Sequence, residues 1–130
     1  MKKFIFILLV LAAITYLFLF KKNSCSNNQA KTYQINSKSY CLLIANNQKQ
    51  WEKGLMSYKK PVNFDGMIFV FLDKQIRSFW NKNTNIDLDI YWMNDDKIVG
   101  KSFLPSILKS KETVVVESPD KVNNVVEIIF

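Results

Sequence analysis

The sequence predicts an all-β fold with one short helix, a compact β-sandwich or barrel-like domain behind an N-terminal transmembrane helix. Three observations carry this. Beyond residue 31 the chain breaks into short apolar or alternating runs, separated about every eight to twelve residues by turn signals such as Asn36-Ser37-Lys38, Asn94-Asp95-Asp96 and Ser118-Pro119-Asp120, the pattern of an antiparallel sandwich or barrel. One stretch alone, residues 48–53, carries helix signals at both ends. Finally, residues 4–20 form an apolar run interrupted only by Thr15 and Tyr16 and bracketed by Lys2, Lys3, Lys21 and Lys22.

The N-terminal run sets the first boundary. At about 1.5 Å per residue it would span roughly 25 Å as a helix, near the lower limit for a bilayer, with lysines at both ends able to reach the headgroups. We expect an uncleaved single-pass anchor over residues 1–22, with the bilayer as its partner and the folded body at the cell membrane, outside the cytoplasm. A cleaved signal peptide is the competing reading. A lipoprotein at Cys25 is disfavoured by Lys22, which stands where an apolar residue is needed. Residues 23–31 read as a polar linker and residues 32–130 as one domain.

Within that domain, residues 32–35 and 39–45 predict a hairpin, its second strand apolar on both faces and therefore central. Asn46 or Asn47 can cap a helix through Gln48, Gln50, Trp51 and Lys53, and Gly54 can end it. Residues 59–65, with Pro61, read as a loop. Strands follow at 67–71, after a turn at 77–81, and, past a polar break at 82–85, at 87–93; later strands are 97–103, 112–117 and 125–130.

Composition excludes several classes. Of the 18 Lys and Arg, four bracket the apolar run and all 11 Asp and Glu lie beyond it, leaving 14 against 11, a net +3. The remaining lysines are scattered, so no nucleic-acid partner is expected. There is no histidine and no Cys-x-x-Cys, so neither a metal nor a cofactor is expected. Cys25 and Cys41 either pair, which would contribute about 3 kcal/mol in the chain-entropy model, or are unrelated thiols.

Several separated pieces, Gly54-Leu55-Met56, Gly66-Met67-Ile68-Phe69-Val70-Phe71, Ser78-Phe79-Trp80-Asn81-Lys82-Asn83-Thr84 and Leu88-Asp89-Ile90, together resemble the signature of the bacterial and archaeal family called domain of unknown function 192, over roughly residues 40–129. The resemblance implies a compact β sandwich with one short helix, and no established reaction or ligand. The chain departs from the family's habit at Asn81 (usually Met), at Asp87 (usually Pro), at Ser57, Tyr58 and Lys59 (where an Arg is usual), and in stopping at Phe130 where members often continue into a Gly-containing tail. The last departure implies that a closing element is missing or replaced.

Alternation over residues 87–93 puts Leu88, Ile90 and Trp92 on a core face and Asp87, Asp89, Tyr91 and Met93 on the other. Asp89 matches the family's Leu-Asp pair and interrupts a strand made for burial, so it needs a partner, for which Lys82 is expected. Lys82, Asn83, Thr84 and Asp89 then either hold a bulge together or line a pocket walled by Trp80, Met56 and Met67. The ligand-binding candidates are these seven residues, with Trp92 and Tyr91 as further stacking surfaces. The functional expectation is a membrane-anchored extracytoplasmic module that binds a small ligand, first a saccharide or cell-wall fragment. The alternatives are an envelope hydrolase using Asp89 with Lys82 or Asp87, and a purely structural or envelope-protein docking domain. No residue is named catalytic, because no nucleophile and base stand in a convincing relation.

Overall fold

The computed structural model describes Cys25 and residues 29–130. The chain runs β1 (Ala30–Ile35), β2 (Lys38–Ala45), α1 (Gln48–Lys53), β3 (Gly66–Gln75), β4 (Ser78–Trp80), β5 (Leu88–Asn94), β6 (Lys97–Leu104), α2 (Ile107–Ser110), β7 (Val115–Glu117) and β8 (Val122–Ile129). Six strands form one mixed sheet in the order β1-β2-β3-β8-β5-β6, and β4 and β7 form a separate two-stranded ribbon.

The fold corrects the expected sandwich or barrel. There is one large open sheet with a ribbon against it, and there are two short helices rather than one. The physical reason is that alternation tells which face a side chain takes but not which strand lies beside it. Strands β2 and β3 pair in parallel, Leu42 opposite Gly66 through Ala45 opposite Phe69. A parallel pair needs a crossover longer than a hairpin, and residues 46–65, containing α1, provide it.

The expected membrane segment is corrected as well. Among the described residues no helix is long and apolar enough to cross a membrane: α1 has six residues and α2 four, against about 20 for a spanning helix. Residues 4–20, where the span was expected, lie outside the described residues. The transmembrane anchor, the single-pass membrane address, the extracytoplasmic placement and the bilayer as partner are without support in the structure and are set aside.

Local chemistry explains the elements that position the core. Asn36 and Ser37 both have positive φ, 49° and 64°, the backbone of a tight hairpin turn between β1 and β2. The Asn47 side chain accepts from the Gln50 N–H at 3.1 Å, and Gly54, at φ +46°, closes α1 with its N–H on the Gln50 carbonyl. The Trp51 indole N–H donates to the Ala45 carbonyl at 3.0 Å, which presses α1 onto the end of β2. Cys25 is disulfide-bonded to Cys41 on β2, with Cα atoms 5.4 Å apart.

Strand β8 occupies the middle of the sheet, hydrogen-bonded to β3 on one edge and β5 on the other. One face carries the larger core: Met67, Phe69, Leu88, Ile90, Trp92, Leu104 and Val125, roofed by Leu55, Trp51, Phe79, Ile86 and Val116. The opposite face holds a smaller cluster of Ile35, Leu42, Ile68, Met93 and Val126. A Cβ at Gly66 of β3 would lie 1.8 Å from the Glu127 carbonyl oxygen of β8, so only glycine fits there.

Asn81, one of the departures from the family pattern, is fully buried and pins the ribbon to the loop before it. Its side-chain amide donates to the Pro105 carbonyl and the Ser110 hydroxyl at 2.9 and 2.8 Å, and its oxygen accepts from the Val114 N–H at 2.8 Å. Asn81→Ala would leave these buried groups unpaired, and we expect a loss of about 2 to 3 kcal/mol of unfolding free energy. Urea denaturation measures it; a loss below about 0.5 kcal/mol would show that the network is not structural.

Candidate functional site

The residues singled out from sequence do not converge. Asp89 pairs with Lys101 at 2.6 Å, its carboxylate 16% exposed, because the β5–β6 register sets Tyr91 opposite Lys101 and brings that lysine diagonally within reach. This contact holds the Lys101 ammonium above the usual lysine range. Lys82 is exposed and lies instead over the Trp80 ring, 5.0 Å from its centre. Asn83 turns the chain at φ +54° and its carbonyl accepts from the Ser57 N–H at 2.9 Å. Thr84 is buried, and its carbonyl accepts from the Ile107 N–H. Asn83 and Thr84 therefore fasten the segment after β4 to α2 and to the stretch after α1.

Asp87 accepts from the Ser106 N–H at 2.7 Å and from Lys109 at 3.1 Å. The Ser106 N–H holds the carboxyl below its ordinary range against the opposing effect of burial, with Lys109 adding to the lowering. Asp87 and Asp89 thus each have their own cation, and Lys82 serves neither. The expected hydrolase built on Asp89 with Lys82 or Asp87 has no acid/base pair to work with, and the membrane-bound saccharide-binding reading loses both its membrane and its polar anchors.

Two of the seven candidates, Met56 and Trp80, line one hollow, and its buried polar group belongs to a residue that does not stand out in the sequence. Register places Glu127 of β8 opposite Met67 on β3 and opposite Ile90 on β5. Directly opposed side chains share a face, so the carboxyl points into the larger core under α1 and the ribbon. Glu127 is 4% exposed, and its Oε2 has no hydrogen-bond partner among the described residues. It lines a hollow of about 30 Å³ together with Trp51, Gly54, Leu55, Met56, Phe69, Phe79 and Trp80, with the exposed Glu52 and Lys53 of α1 at its rim.

Beside that hollow lies an outer compartment of about 370 Å³ that shares Trp51, Glu52, Phe69, Phe79 and Trp80 and adds Phe71 and Arg77. The shared walls make the two compartments one aromatic cleft between α1 and β4, floored by β3. At its outer end the Arg77 guanidinium lies 3.8 Å over the Phe71 ring and is held by Asp73, while its Nε is buried and unpartnered. Both unpartnered buried side-chain polar atoms found among the described residues therefore belong to residues lining this cleft. Met67 lines a different small hollow, with Leu43, Ile44 and Tyr58.

Burial alone pushes the Glu127 carboxyl up to about 8 from its ordinary 4.5, since a charge there would lose its hydration with no cation to replace it. At neutral pH the group is a neutral acid, one O–H donor in an aromatic enclosure. A signal for it exists in the sequence: one carboxylate inside the apolar run Val125-Val126-Glu127-Ile128-Ile129. What a sequence does not tell is that this strand is central, with no edge through which the side chain could reach water.

Another hollow, about 780 Å³, lies elsewhere and is lined by Lys59, Lys60, Asp87, Ser106, Leu108, Lys109 and Phe130. It is a less specific site, because its carboxylate already has its partners and its lysines are exposed.

A scan of protein families matches the family DUF192, described as Uncharacterized ACR, over residues 30–129. The chain is a member of that family. Two solved structures share the fold: one described as a candidate transcription regulator from Sinorhizobium meliloti 1021, with 23% identity, a TM-score of 0.61 and coverage of 77% of this chain and 78% of that one; and a protein of unknown function from Novosphingobium aromaticivorans DSM 12444, with 22% identity, a TM-score of 0.63 and coverage of 77% and 71%. At these identities the likeness shows the fold alone. No curated protein matches the chain.

The raised Glu127 carboxyl has a consequence for stability. A group whose folded value, about 8, exceeds its ordinary 4.5 stabilises fully at acid pH, and that stabilisation is lost as pH rises through the window between them. We expect unfolding free energy to fall by about 1.4 kcal/mol per pH unit within that window. The chain has no histidine to obscure the slope. Urea titrations from about pH 5 to 8 should show it, and Glu127→Gln should flatten it; equal slopes in the two proteins would refute the assignment.

Proposed function

We propose that the domain is a receptor for a small, largely apolar molecule that enters the cleft between α1 and β4 and meets the Glu127 carboxyl at its inner end. The observation that carries this reading is the unpartnered Glu127 Oε2 lining a hollow walled by rings. An unsatisfied buried polar atom costs about 1 to 3 kcal/mol, and a core that needed only packing would have an apolar side chain there. Small-molecule sites are concave, mostly apolar and carry few polar groups, and the cleft has this composition. The reading is independent of Asp89 and Lys82 and of any membrane or cell-wall setting.

Met56 lines the inner hollow, whereas Met93 is buried in the cluster on the opposite face of the sheet. Hexan-1-ol titrated into the full chain should shift the Met56 methyl resonance and leave that of Met93 in place. Trp80→Ala, which removes a half-exposed wall, should weaken that binding at least about fivefold while costing under about 1 kcal/mol of stability. An unmoved Met56, or equal movement of both methionines, would contradict the reading.

A further inference from the structure

The lining of the inner hollow specifies the chemistry of the group that enters it, and this inference rests on the cleft being the ligand site. The inner hollow, about 30 Å³, is large enough for a water or a small head group and far smaller than the outer compartment. The inner hollow is walled by rings and two carboxyls, and its one lysine, Lys53, is turned to the Tyr58 ring. Ring faces accept positive charge and N–H groups, and the Trp51 indole N–H is already committed to the Ala45 carbonyl. Glu127 is the one carboxyl at the inner end, and Glu52, exposed on α1, is a second that lines both compartments.

The cations nearby are turned to other partners. Lys53 lies 5.7 Å over the Tyr58 ring and Lys82 over the Trp80 ring, and Arg77 is held at the far end by Asp73. None is bonded to Glu127. A compact head that carries positive charge and several donors is complementary to this enclosure, whereas a carboxylate or phosphate would meet two carboxyls.

We propose that the cleft takes a primary amine, its ammonium seated against the Glu127 carboxylate and its apolar body between Trp51, Phe79 and Trp80. Glu127 enters the encounter as the neutral acid and leaves it ionised, so the O–H bond breaks and one proton passes to solvent for each ammonium bound. The amine keeps its own proton throughout. Below neutrality the bound proton on Glu127 competes with the ligand, and affinity rises with pH until Glu127 is ionised in the free protein.

Hexylamine and hexan-1-ol have the same body and differ in the head. Calorimetric titration of the full chain at pH 7, in two buffers of different ionisation enthalpy, should show hexylamine binding at least about tenfold tighter than hexan-1-ol, a difference of about 1.4 kcal/mol, with close to one proton released. Glu127→Gln, a neutral isostere, should abolish the release and reverse the preference. Hexan-1-ol binding as tightly as the amine, or amine binding without proton release, overturns the ammonium assignment and leaves the cleft reading standing. Failure of both probes to bind or to shift the Met56 methyl overturns the cleft reading and this inference with it.

Discussion

The central position of β8 is the constraint on which the rest of the molecule depends. The last strand in the chain is hydrogen-bonded along both edges, to β3 and to β5, so its side chains can leave only through the two faces of the sheet, and both faces are packed. Val125 and Val126, consecutive in sequence, are each fully buried, one in each core cluster. Gly66 exists as glycine because β3 must approach the β8 backbone closely, and the crossover through α1 exists because β3 must lie parallel to β2 to reach that place. Glu127 inherits the same confinement, and its unusual protonation follows from position rather than from any neighbouring charge.

That arrangement places a polar cost at the centre of a small core. A neutral carboxyl without a partner is destabilising relative to an apolar residue of the same size, and at alkaline pH the cost grows because the group must ionise without a cation or open the core to water. The surrounding aromatic packing offsets it: Phe79 makes edge contacts with both Phe69 and Trp92, at centroid distances of 4.8 and 5.7 Å, and ties the ribbon to the sheet directly above the strand. The roof of the cleft is thus held by the same contacts that hold the fold together, so the aromatic enclosure and the buried acid form one structural unit.

Parts of this were legible in the sequence. Helix α1 was, because Asn47 and Gly54 supply specific cap chemistry at each end; so was the first hairpin, because Asn36 and Ser37 tolerate the backbone it demands. Leu88, Ile90 and Trp92 were placed on the core side by simple alternation. Helix α2 was not: it has four residues, too few for any period to register, and β3 runs to Gln75 through residues whose composition reads as a turn. The sheet order was out of reach, since nothing local says that a C-terminal strand will insert between the third and the fifth. For the site, Asp89 is conspicuous because a carboxylate interrupts an apolar strand, and such a group needs a partner, which it has. The partner came from across the hairpin register, Lys101, rather than from the lysine nearest upstream. Glu127 interrupts its strand in the same way; the difference between an acid rescued by a lysine and an acid left bare is set by tertiary neighbours.

The central claim is that Glu127 holds a proton at neutral pH. Labelling the glutamate side chains with carbon-13 and following the Glu127 carboxyl resonance with pH tests it at the atom concerned. The account predicts a midpoint near the value of about 8 that burial imposes, with the protonated signal persisting at pH 7. A midpoint close to the ordinary 4.5 would mean that water or a cation reaches the carboxylate, and the buried acid, the cleft chemistry and its ammonium ligand would all lose their basis.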